Sequence, residues 1–143
     1  MQAKQFGAVE VASGEEMKIL ALAGTVATTR RHIARDRHEV LSFMRGFVEA
    51  IHFFKTNRDA STRIMQKFMA GLPAEIVTPL YNEARERLPA LPLPMKDAIQ
   101  AVFDREPDAR ARALQLADIA DLSFLQEIEQ SGLVRELYKS TGK

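Results

Sequence analysis

Between His38 and Lys55 the chain places Val40, Leu41, Phe43, Met44, Phe47, Val48, Ala50, Ile51, Phe53 and Phe54 around most of the circumference of a helix. The polar residues Ser42, Arg45, Glu49 and His52 recur at steps of three and four and form one narrow stripe. A surface helix of a globular protein carries one apolar face. This one carries more, and the expectation is a central helix packed on several sides.

The remainder from about Thr29 onward also reads as helical. Asn57 or Asp59 is placed to cap a following helix, in which Ala60, Ile64 and Phe68, and Met65 and Met69, repeat at four-residue spacing until Gly71. Ile76, Val77, Leu80, Tyr81, Ala84 and Leu88 mark a further helical face interrupted by Pro79, which either kinks that helix or opens it with Thr78 as cap. Leu88 to Pro94 alternates proline with apolar residues and reads as an extended connector. Ala98, Ile99, Val102 and Phe103 predict the inward face of a helix from Met95 to Arg105, and residues 108–117 form a further helical turn or a loop. Ser123 and Gln126 have the spacing of a capping box, opening a helix that directs Phe124, Leu125 and Ile128 inward and ends at Gly132, before a short last helix from Leu133 to Tyr138.

Strand character is confined to the start, where Ala8 to Val11 alternates weakly and Lys18 to Leu22 precedes Gly24-Thr25-Val26. One or two short strands have no sheet to join within the chain and would need a partner edge. The expected fold class is mostly α with one or two short N-terminal strands. The chain is treated as a single partial domain, with residues 1–29 containing the strands and residues 30–143 helical.

Length and composition, with 143 residues and 46% hydrophobic side chains, suit one soluble domain with a buried core. Twenty basic and 19 acidic side chains leave a formal net charge of +1, so no strong field or basic stripe favours nucleic acid. There is no cysteine, which removes disulfides, thiolate zinc sites and a cysteine nucleophile. The three histidines show no ligand spacing; His38 and His52 lie nearly four turns apart on one helix. The paired acidic residues are read as surface ion-pairing groups, no glycine-rich phosphate loop occurs, and no serine sits in a nucleophile elbow. No metal, cofactor or catalytic residue is expected. The N-terminal residues lack the features of a secretory signal, and no apolar run is long enough to suggest membrane insertion.

Three segments carry a family resemblance: Thr28-Thr29-Arg30, the run from Phe43 to Thr56 (FMRGFVEAIHFFKT), and the run from Asp121 to Gly132 (DLSFLQEIEQSG). In order and spacing they resemble the C-terminal half of periplasmic solute-binding proteins of ABC importers, the type that serves sulfonates, taurine, nitrate and the pyrimidine precursor of thiamine. The resemblance covers nearly the whole chain. It implies the C-terminal half of a two-lobed α/β fold: the end of lobe two and the return crossing in residues 1–29, and helices that pack on lobe one in residues 30–143. It further implies solute binding without chemistry, an ABC permease as partner, and a periplasmic location, against the cytoplasmic one that the absence of a signal in the chain as written would give.

Thr28, Thr29 and Arg30 are the candidate ligand-binding residues, since two hydroxyls and a cation near the family's hinge suit a sulfonate or carboxylate. The competing reading is that one threonine caps the helix starting near Arg30. The N-terminal lobe and one cleft wall have no counterpart here, so the missing lobe, a partner or self-association is expected to cover exposed apolar surface. The alternative to a partial solute receptor is a stand-alone helical interaction module or remnant without ligand binding. A further one, an enzyme making the thiamine pyrimidine beside a cysteine-rich motif, is disfavoured by the lack of cysteine.

Overall fold

The computed structural model describes residues 7–9, 11–12, 16–17, 25–69 and 72–139. Among these the chain is helical, with no strand. Ala8, Val9, Val11, Thr25 and Val26, assigned to strands above, are not in one, and the rest of those strand segments lies outside the described residues.

The helices are α1 Arg30–Arg35, α2 Arg37–Thr56, α3 Arg58–Phe68, α4 Ala74–Arg87, α5 Lys96–Arg105, α6 Ala109–Arg112, α7 Leu116–Ile119, α8 Ser123–Gln130 and α9 Leu133–Lys139. The long α2 is the organising element: α1, α3, α8 and α9 all contact it. Helix α4 packs on α3, α9 on α8, and α5 on both α6 and α7.

Single-residue junctions tie α1, α2 and α3 together. Asp36 ends α1 and starts α2: its N–H donates to the His32 carbonyl at 2.9 Å while its carboxylate accepts from the Glu39 N–H at 3.1 Å. Asn57 plays the same positional role between α2 and α3, but its side chain turns backward and donates to the carbonyl of Phe53 at 3.2 Å and the hydroxyl of Thr56 at 3.0 Å. Asn57 therefore occupies the expected cap position of α3 without capping it.

The last turn of α2 leaves carbonyls with no helical donor, and its neighbours supply side chains for them. Within α2 itself the Thr56 hydroxyl also donates to the His52 carbonyl at 2.8 Å. The Phe54 carbonyl accepts from both the Ser61 hydroxyl of α3 (3.2 Å) and the Tyr81 hydroxyl of α4 (3.0 Å). Ser61 is only 1% exposed, and this bond is what makes its burial tolerable. Arg85 Nε donates to the Lys55 carbonyl at 2.9 Å, and Lys55 Nζ returns bonds to the carbonyls of Arg85 and Leu88 at 3.0 and 2.5 Å. The C-terminal ends of α2 and α4 thus each receive a cation from the other, the sign that a helix C-terminus favours.

Several expected faces are corrected by the packing. Of the residues crowding α2, only Val48 and Ile51 are fully buried; Phe43 and Phe53 are 56% and 42% exposed, and Gly46 and Ala50 also face outward. Helix α2 is therefore covered by the described residues on one side, not several. In α3 the buried position is Ser61, whose hydroxyl meets the Phe54 carbonyl, while Ile64 and Phe68, three and seven residues on along the same face, are exposed, so that face is covered only near Ser61 among the described residues. In α5 Ala98, Ile99 and Phe103 are buried as expected, but Val102 is exposed.

Pro79 lies inside α4, which continues through it, so Thr78 is not a cap. Ser123 is not the cap of α8 either: the N-cap position is Leu122, the Ser123 N–H donates to Asp121 at 2.9 Å, and the Ser123 hydroxyl accepts from Arg37. A capping box does form, at Gln115 and Asp118 around α7. Phe124, Leu125 and Ile128 are buried, and Gly132 ends α8 with a φ of +80°, a left-handed conformation that suits glycine.

The shared acceptor at Phe54 gives the first prediction. Tyr81→Phe and Ser61→Ala should each cost about 1 kcal/mol, and the double variant should cost more than their sum, because only then is the carbonyl stripped of side-chain donors. Urea unfolding of the four proteins measures this, and strict additivity would refute a shared acceptor.

Candidate functional site

The three sequence-selected residues sit at the entrance to α1. Thr28 is exposed and precedes the helix. Thr29 is its N-cap, with an extended backbone (φ −95°, ψ 148°) and a hydroxyl that accepts from the His32 N–H at 3.1 Å. Arg30 is the first helical residue, and its guanidinium donates to the backbone carbonyl of Asp118 in α7. The capping role anticipated for one of the two threonines is realised by Thr29. The Arg30 side chain holds α1 to α7.

Two turns further on, Arg37 makes the corresponding tie to α8. Its Nη1 meets Glu127 Oε2 at 2.8 Å, its Nη2 donates to the Ser123 hydroxyl at 3.3 Å, and its guanidinium carbon lies 4.6 Å from the centre of the Phe124 ring. Asp121, just before α8, is held below the usual carboxylate range chiefly by the Ser123 hydroxyl, then by the Ser123 N–H, with a smaller contribution from the Arg37 charge; slight burial opposes these. The start of α2 and the start of α8 thus form one polar cluster, Arg37, Asp121, Ser123 and Glu127, while Thr29 and Arg30 at the entrance of α1 bond separately to His32 and to α7.

Sequence reasoning did not single out Arg37. Its partners are 86 and 90 residues away, and no local spacing announces a contact of that range.

The chemistry this cluster supports is cohesion and cation presentation. Arg30 and Arg37 already hold a carbonyl, a carboxylate and a hydroxyl, and Thr29 is committed to its cap. The adjacent His32 makes a 3.2 Å contact to Arg35 and lies 3.8 Å from Glu39. His52 lies away from it on α2, packed edge-on against the Tyr138 ring with centroids 4.8 Å apart, and burial raises the Tyr138 phenol above its ordinary pKa. No group of three His, Cys, Asp or Glu side chains able to hold a metal ion occurs among the described residues. A concave feature, open and polar, lies at the α2–α3 junction and is lined by Thr56, Asn57, Arg58, Asp59, Ala60 and Arg63. Among the described residues, no helix is long and apolar enough to cross a membrane.

Two outcomes test this description. Thr29→Ala should lower stability by about 1 kcal/mol through loss of the cap, as read from thermal or urea unfolding. For Asp121 the sign follows from its lowered pKa: the folded protein gains stability from the ionised carboxylate above the unfolded pKa of about 3.9, and loses it as pH falls through the folded value. Asp121→Asn should therefore reduce the loss of stability between about pH 5 and pH 2 relative to the parent; unchanged acid sensitivity would remove Asp121 from the cluster's electrostatics.

No protein-family model, curated protein or solved structure matches this chain.

Proposed function

We propose that this chain is the C-terminal, helical portion of a substrate-binding component of an ABC importer, serving a small organic or inorganic anion or a pyrimidine-type solute such as a sulfonate, taurine, nitrate or a thiamine precursor. The observation that supports this reading is the meeting of its two signature regions. The runs from Phe43 to Thr56 and from Asp121 to Gly132 are far apart in sequence, yet α2 packs on α8 and α9, and Arg37, which precedes the first run in α2, bridges directly to Ser123 and Glu127. The predominance of helix in residues 30–139 agrees with the part of the two-lobed fold to which the resemblance points.

In this reading the chain binds solute without chemical conversion, jointly with a second lobe, and hinge closure presents the complex to an ABC permease in the periplasm. Arg30 and Thr29 stand at the edge of the helical unit as candidate hinge or cleft-mouth groups, with Thr28 the member of the trio outside the helix. A second reading, a helical interaction module without ligand binding, is favoured by one feature: the outward apolar face of α2 from Phe43 to Phe53.

Intact mass spectrometry of the protein purified from its source cells separates the two. A product of roughly twice the 16.0 kDa of this chain is expected of a two-lobed receptor, and the isolated chain should show no saturable calorimetric binding of taurine, alkanesulfonates, nitrate or pyrimidines. A cellular product of 16.0 kDa would overturn the receptor reading in favour of the interaction module.

A further inference from the structure

Along α2, Phe43, Gly46, Ala50 and Phe53 follow one another at steps of three, four and three residues and so line one face, opposite the buried Val48 and Ile51. All four are exposed. No atom outside the helix's own backbone and the immediate neighbours comes within 4 Å of where a Cβ would stand on Gly46, so nothing described approaches the middle of this face. Phe43 also stacks on Phe47, with ring centroids 6.4 Å apart and planes 11° from parallel, which steadies the first aromatic at its edge. Steps of three and four are the spacing at which helices pair along a seam.

The order of these side chains reads alike in both directions about residue 48: Phe, Gly, Ala, Phe, with a small residue on either side of the centre and an aromatic at either end. A two-fold interface requires this property, since residue i of one copy must meet j of the other while j meets i. Two α2 helices laid antiparallel across that centre bring each Phe43 to the other copy's Phe53 and each Gly46 to the other copy's Ala50. The small pairs allow the backbones to approach, and the aromatic pairs close the ends.

Charge selects the same arrangement. Glu49 lies at one edge of the seam with Arg45 one turn earlier and just behind it; both are exposed and take part in no ion pair among the described residues. In antiparallel helices like edges face each other, so Arg45 of each copy comes within two residues, about 3 Å along the axis, of Glu49 of the other, a step its long side chain spans. A parallel pair would instead set this charged edge against the edge carrying Phe47 and Phe54.

We infer that α2 pairs antiparallel with α2 of a second copy of this chain, through Phe43, Gly46, Ala50 and Phe53, with Arg45 and Glu49 crossing between copies. The inference does not rest on the transport reading. The seam is one helix wide, and four partly exposed phenylalanines contribute well under the roughly 1,200 Å² of a standard interface, so the pair belongs to the weak, reversible class.

Sedimentation equilibrium of the 143-residue chain over a wide concentration range tests this, with circular dichroism confirming that each variant keeps its helix content. A reversible monomer–dimer equilibrium is expected. Phe43→Glu and Phe53→Glu should each weaken it at least about tenfold, the loss of about 1.4 kcal/mol. Arg45→Glu should weaken it by like-charge repulsion, and adding Glu49→Arg should restore it, a recovery that unspecific apolar association would not show. The absence of native cysteine permits a direct test of direction: Gly46→Cys mixed with Ala50→Cys should oxidise to the mixed disulfide in preference to either homodimer. A chain that stays monomeric throughout, a dimer indifferent to the seam variants, or preferential disulfides between like positions would each overturn the inference.

Discussion

The C-terminal end of α2 is the junction on which the first half of the fold depends. A helix that stops in a protein interior strands its final carbonyls, and here α3 and α4 each bring donors to them. Ser61 and Tyr81 share the Phe54 carbonyl, while Arg85 and Lys55 exchange bonds between the ends of α2 and α4. The two hydroxyls belong to residues that are only 1% exposed, so the bonds form where an unmet carbonyl is costly. Ser61 faces Phe54, but Ile64 and Phe68, three and seven residues on along the same face of α3, stay exposed, so the described neighbours cover that face only near Ser61.

At the other end of α2 the connections are ionic and more exposed. Arg37 reaches α8 and Arg30 reaches α7, which closes residues 116–130 onto the beginning of the helical region. The Arg37–Glu127 pair is about half exposed at both partners, and a pair of that kind contributes at most about 1 kcal/mol by itself. Its importance lies in alignment, because the same guanidinium also covers the Phe124 ring and bonds the Ser123 hydroxyl. The apolar burial of Phe124, Leu125 and Ile128 supplies the larger stabilisation beneath it.

Much of the helical layout was legible in local pattern. The limits of α2, α5, α8 and α9 fall within a residue or two of those expected, since periodicity and Gly132 act over a few residues. The capping reading of the threonine pair was equally accessible: a hydroxyl three residues before a backbone N–H that needs a partner is a local fact, and Thr29 provides it. Ser123 shows where such local reasoning fails. Its spacing to Gln126 is that of a capping box, but Asp121 takes up its N–H and Arg37, 86 residues away, engages its hydroxyl. Its hydroxyl is engaged by Asp121 and Arg37, and the cap position falls at Leu122.

The sequence by itself determined that these residues form helices and where most of them stop, because helix formation is decided by neighbours three and four positions apart and by caps at each end. It also determined that α2 would be apolar on more than one side. Only the tertiary structure decided which side is covered. Val48 and Ile51 lie beneath other elements while Phe43 and Phe53 do not, a choice that depends on where α3, α8 and α9 are anchored by Ser61, Tyr81 and Arg37. Those anchors join residues up to 90 positions apart. Periodicity fixes the faces of a helix, but contacts at that range select among them, because burial is a property of the assembled neighbours.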